Sequence, residues 1–230
     1  MYGNAYNPAG SPVPPTPFQQ PQSLFRFGET SLWSSQLIAG GTALANQNFR
    51  LFTTPIGQVG QGFAGALTIS ETSLKEGGRV PAGVAYDVFG VSAQILGSGS
   101  DAGTALDLPI DNAARIQNLV NVQNNGVLQW SFIQTDIDIC PVYLAGSGGG
   151  TGGAVSQNAA GANSGNLNNG FGSVWMYRKH PVQLPGAQTF AIRLSFGGSA
   201  GTTNNLAGGA GALAIRVVLL GYYKNVIEIG

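Results

Sequence analysis

Four stretches of this chain alternate apolar and polar residues with a period of two, and that alternation most restricts what it can fold into. A strand sends successive side chains to opposite faces of a sheet, whereas a helix needs apolar residues three and four apart. In 188–196, Phe190, Ile192, Leu194 and Phe196 share one face, while Thr189, Arg193 and Ser195 share the other. In 127–133, Leu128, Trp130 and Phe132 oppose Gln129 and Ser131. Residues 84–96 read as a strand with Phe89, Val91 and Ile95 on one side together with Asp87. Residues 212–223 carry Leu213, Ile215, Val217 and Leu219 on one face and Val218 and Leu220 on the other, so this strand is expected to be buried on both sides or covered by a partner.

Weaker patterns place further strands at 31–38, 43–53, 64–70, 136–144 and 173–178, giving eight or nine in all. Helix is scarce. Ser70 to Glu76 fits one turn, with Glu71 and Lys75 at i,i+4, and Asp111 or Asn112 is placed to cap a short helix that aligns Ile116, Leu119 and Val120. The reading is an all-β antiparallel sandwich over residues 23–230. It is preceded by an extended arm, residues 1–22, which holds Pro8, Pro12, Pro14, Pro15, Pro17 and Pro21 and no charged residue. Two Gly/Asn-rich loops, 146–172 and 197–211, exceed the usual loop length.

Charge then removes whole classes of function. Only 9% of the 230 residues are charged, the net charge is zero, and the 32 Asn and Gln residues outnumber the 20 charged ones. At zero net charge the electrostatic attraction that drives nucleic-acid binding is missing, so no direct or sequence-specific nucleic-acid contact is expected. One Cys excludes an intrachain disulfide, and one His excludes a multi-His metal site. No apolar run reaches the roughly 20 residues of a membrane-spanning helix, and the amino terminus lacks the pattern of a secretory signal.

Several constellations invite a chemical reading. Gly197-Gly198-Ser199-Ala200-Gly201 matches G-x-S-x-G, but no helical pattern follows and the sole imidazole, His180, precedes the serine. The run Gly148 to Gly153 matches G-x-G-x-x-G without a βαβ unit around it, and reads as loop. Asp136 and Asp138 project from one strand face; acid–base work or a cation is one reading, a polar outer face the simpler one. Asp101, Asp107 and Asp111 lack the spacing of a calcium loop. Arg178, Lys179 and His180 follow Trp175 and Tyr177 and suit a phosphate or a neighbour's carboxylate, or simply an exposed strand end. Cys140 lies in an apolar run and is expected to be a buried, inert thiol. Residues 71–83, ETSLKEGGRVPAG, concentrate Glu71, Lys75, Glu76 and Arg79, which fits either a contact with a neighbour or a solvated connection. No catalytic, cofactor-binding or metal-binding residue is assigned, and no cofactor is expected.

The order of arm, short strands, long loops and a strong final apolar strand (Leu213 to Tyr223) resembles the jelly-roll major capsid proteins of viruses. The stretches FRLFTTPIGQVGQGF and ETSLKEGGRVPAG are similar to small tailless icosahedral bacterial viruses' capsid proteins. This resemblance implies a single jelly roll of about eight strands, a self-assembling subunit of an icosahedral shell, and an arm that contacts neighbouring copies. It also implies a non-enzymatic virion protein made in the host cytoplasm, with other virion proteins or an internal membrane as further partners. The alternative is a trimeric receptor-binding or adhesive head of the phage-fibre type. A glycan-processing enzyme needs carboxylates facing each other across a cleft, which Asp136 and Asp138 on one strand face do not supply.

Overall fold

The computed structural model describes residues 24–98, 106–107, 113–132, 135–146, 156–157, 163–164, 174–177, 179–198 and 212–227. Its strands are β1 (Leu24–Ile38), β2 (Asn48–Leu51), β3 (Val84–Ser98), β4 (Leu106–Asp107), β5 (Gly126–Phe132), β6 (Thr135–Pro141), β7 (Ser156–Gln157), β8 (Asn163–Ser164), β9 (Trp175–Met176), β10 (Val182–Leu184), β11 (Phe190–Phe196) and β12 (Leu213–Ile227). One helix, α1 (Ala113–Asn125), and a 3-10 turn at Val142–Leu144 complete the described elements. The arm, most of the two Gly/Asn-rich loops, Asp101, Asp111, Gly148 to Gly153, Arg178 and Ser199 lie outside the described residues.

The protein is all-β, with two main antiparallel sheets. One runs β1-β12-β3-β10, with β4 and β9 also paired to β3; the other runs β2-β11-β5-β6. Eight principal strands pair in a nested order: first with last (β1·β12), second with seventh (β2·β11), third with sixth (β3·β10), and fourth with fifth (β5·β6). The lateral pairs β12·β3 and β11·β5 join these couples into the two sheets. A single apolar core lies between them. Leu213, Ile215, Val217 and Leu219 of β12 face Leu128 and Trp130 of β5 and Phe190, Ile192 and Leu194 of β11 within it. Burying one such side chain contributes about 1.5–3 kcal/mol, against roughly 0.5–1 kcal/mol lost at a glycine within a strand, so glycines in β1, β3 and β12 are outweighed by their neighbours.

The alternation reading succeeds in β5, β11 and β12 and needs correction in β3. Leu220 pairs with Gly90 but Gly221 pairs with Val88, so Phe89 has no partner on β12. This bulge reverses which residues point inward. Tyr86 and Val88 face the core before it, and Val91, Ala93 and Ile95 after it. Asp87 and Phe89 therefore sit on the outer face, where Phe89 packs on Tyr222 at 5.1 Å between ring centroids and Asp87 pairs with Lys224.

Other boundaries shift for identifiable reasons. β1 extends back to Leu24 because β12 continues to Ile227 and supplies a partner for every residue. Residues 64–70 form turns, not a strand, and only residues 48–51 of 43–53 are a strand. After Leu51 the chain enters a left-handed turn at Phe52 (φ 66°), whose N–H donates to Ser34 Oγ at 2.8 Å and whose ring packs on Phe190. The expected strand at 136–144 ends at Pro141 and becomes the 3-10 turn, and that at 173–178 shortens to β9. The short helix grows to the 13 residues of α1, with Leu119 and Val122 buried. Within the glycine loop expected to be structureless, β7 and β8 pair as a two-residue ladder.

Candidate interaction surface

A sandwich has two outer faces and two open sides, and each is furnished differently here. The outer face of the β2-β11-β5-β6 sheet is a polar ladder. Gln129 Nε2 donates to Asp138 Oδ1 at 2.7 Å, Ser195 Oγ donates to Gln129 Oε1 at 2.5 Å, and Arg193 Nη1 pairs with Asp136 Oδ2 at 2.5 Å. Asp136 and Asp138 thus share a face as expected, each engaged by a cross-strand partner. Among the described residues no three His, Cys, Asp or Glu groups come together as a metal site. Cys140 is buried, and burial pushes its thiol pKa up to about 11.

The outer face of the other sheet is partly roofed by the chain itself. Leu37, Leu96 and Ala214 form a second small apolar cluster closed by Phe63. The segment that brings Phe63 there is tied to β1: Trp33 N–H donates to Ser73 Oγ at 2.8 Å, Ser73 N–H donates to Trp33 O at 2.9 Å, and the Trp33 indole donates to Ile69 O at 2.9 Å. Gln36 Nε2 donates to Gln61 O and Arg216 Nη2 to Ser70 O. Double-sided burial of β12 near Ala214 is therefore met within the chain.

The charge-rich segment 71–83 spends much of its charge internally. Glu71 accepts hydrogen bonds from Thr68 N–H and Oγ1 and from Ser70 Oγ, and Arg79 pairs with Glu76 at 2.6 Å. Burial pushes the Glu71 pKa up, but the hydrogen bonds from Thr68 and Ser70 outweigh it and hold the carboxyl below its ordinary 4.5. Burial lowers the Arg216 pKa, opposed by the nearby Glu71 charge. Beside this segment a cavity of about 330 Å³ opens between Leu32, Val84, Tyr86 and Tyr223 on the sheet and Leu74, Lys75, Arg79 and Pro81 on the loop. At its floor Tyr86 Oη donates to Thr30 O and Leu219 O, and burial raises the phenol's pKa.

A second hollow lies beside β6, at the far end of the β2-β11-β5-β6 sheet. A groove of about 730 Å³ runs between Asp138 and Ile139 of β6 and Val174 to Tyr177, with Lys179 and His180. Trp175 and Tyr177 wall it, Met176 and Ile137 are exposed beside it, and Lys179 and His180 stand exposed at its rim. Tyr177 is fixed from both ends: its N–H donates to Phe89 O at 2.8 Å and its hydroxyl accepts from the Trp130 indole at 2.7 Å. Sequence reasoning found the aromatic-basic cluster but not its opposite wall, because β6 lies some 35 residues earlier and no local signal links the two.

Apart from Tyr222 on β12, the large exposed apolar side chains among the described residues fall into two groups, one toward each edge of the sandwich. Ile56, Val59 and Ile69 project from the segment beside β1, while Ile137, Tyr143, Leu144 and Met176 lie toward β6 and β9. No helix among the described residues is long and apolar enough to cross a membrane. Comparison with protein-family models, curated proteins and solved structures finds no match for this chain.

Proposed function

We propose that this chain is a single jelly-roll subunit that assembles with copies of itself into an icosahedral virion shell, its amino-terminal arm contacting neighbouring subunits. The observation that carries the reading is the nested pairing of eight strands, first with last through fourth with fifth. One long hairpin rolled into two sheets produces that order, and it is the winding of jelly rolls, which recur in viral shells and lectins. A fold alone does not fix a function, so the surface has to discriminate.

The surface favours lateral self-association. Apolar groups at opposite sheet edges suit a head-to-tail contact, in which one edge of a copy meets the other edge of the next; rotation then closes such contacts into rings. With 9% charged residues and zero net charge, identical copies pack without long-range repulsion. In this reading the protein is a structural, non-enzymatic virion component made in the host cytoplasm. Other virion proteins or an internal membrane are its further partners, and the uncharged arm binds protein instead of nucleic acid.

Electron microscopy of the purified full chain, beside a chain lacking residues 1–22, tests the proposal. Closed shells from the full chain that vanish on arm deletion are expected; compact trimers alone, under every condition, would favour an adhesive head.

A further inference from the structure

The groove between β6 and residues 174–177, 179 and 180 has features of a polyproline acceptor, and the arm carries a sequence suited to it. Aromatic walls bind proline-rich segments because proline rings stack on them and the extended helix is already formed, so little entropy is lost on binding. Trp175 and Tyr177 supply such a wall, and Tyr177 is immobilised by Trp130 and Phe89. Across the groove β6 is an end strand of its sheet among the described residues, pairing there with β5. Proline carbonyls accept hydrogen bonds from such a strand, and prolines bring no N–H that burial would leave unsatisfied.

The arm contains two overlapping P-x-x-P spacings, Pro12 to Pro15 and Pro14 to Pro17, followed by Phe18. Six residues in polyproline form span about 16 Å, five rises of about 3.1 Å. Residues 1–22 carry no charged side chain, so the arm brings no ion of its own into the groove. We propose that this groove receives Pro12–Pro17 from the arm of a second copy, the second copy following from the shell reading above. The arm is thereby assigned a specific seat beside β6 of its neighbour's sandwich.

A cross-link between differently tagged full-length copies tests this. One variant carries Thr16→Cys and the other Lys179→Cys; a disulfide needs Cα atoms within about 7 Å, and buried Cys140 stays unreactive. After mixing at rising concentration and mild oxidation, the 16–179 disulfide between the two tags should exceed at least tenfold that obtained with an Arg50→Cys control on β2, at the far edge of the sheet from β6. Pro14→Ala with Pro17→Ala should abolish the link, and Pro8→Ala with Pro21→Ala should preserve it. A link no greater than the control, or equal sensitivity to both proline pairs, would overturn the proposal. Microscopy of the same samples separates the two readings: shells without the link remove the groove assignment alone, and the link without shells removes the shell alone.

Discussion

Gly221 shows what a single residue contributes to the stacking of the long strands. A Cβ there would press on the Asp87 carbonyl oxygen and stand 2.7 Å from the Tyr86 ring, and Tyr86 in turn anchors β1 and β12 through its hydroxyl. Gly28 is similar, lying beneath the ring of Tyr223. Gly221→Ala is expected to destabilise the fold by about 1–3 kcal/mol, the usual cost of overpacking, while Gly65→Ala, in open space, should stay within about 0.5 kcal/mol. Chemical denaturation of the two variants checks this. Neither role was legible beforehand, because a glycine in a glycine-rich chain gives no sign of which ring will cover it. The Phe89 bulge was hidden likewise: alternation is read along one strand, and a bulge is defined by its partner.

At the scale of elements, strands with long internal alternation were legible and those made by pairing were not. β5, β11 and β12 bury the face their sequence announces, whereas β4, β9 and β10 have two or three residues each and exist because β3 offers an edge. Residues 64–70 look like a strand but serve as a strap, held to β1 and Arg216 by hydrogen bonds. The Glu71 shift gives the strap an expected pH dependence. A carboxyl held below its ordinary pKa favours the folded segment above pH 4.5 and gives up that advantage as pH falls through its folded value. Hydrogen exchange of 66–74 should therefore rise as pH falls below about 4.5 after correction for intrinsic rates, and Glu71→Gln should flatten the rise. An unchanged profile in the variant would place the pH response elsewhere.

For the molecule as a whole, the sequence supported all-β architecture and low charge, and from these a surface suited to being covered. Strand order was beyond its reach, since β1 and β12 pair across nearly 190 residues and no local pattern encodes that closure. The candidate site was legible on one side only: Trp175, Tyr177, Lys179 and His180 as a cluster, without Asp138 and Ile139 opposite. Nested strands, apolar groups at opposite edges and an uncharged proline arm converge on self-assembly as the central claim. Sedimentation velocity of the full chain over a wide concentration range tests it most directly. The account predicts that the 23.6 kDa subunit gives way above a threshold concentration to one large closed species with little of intermediate size. A monomer or a small oligomer of fixed size at every concentration would contradict it.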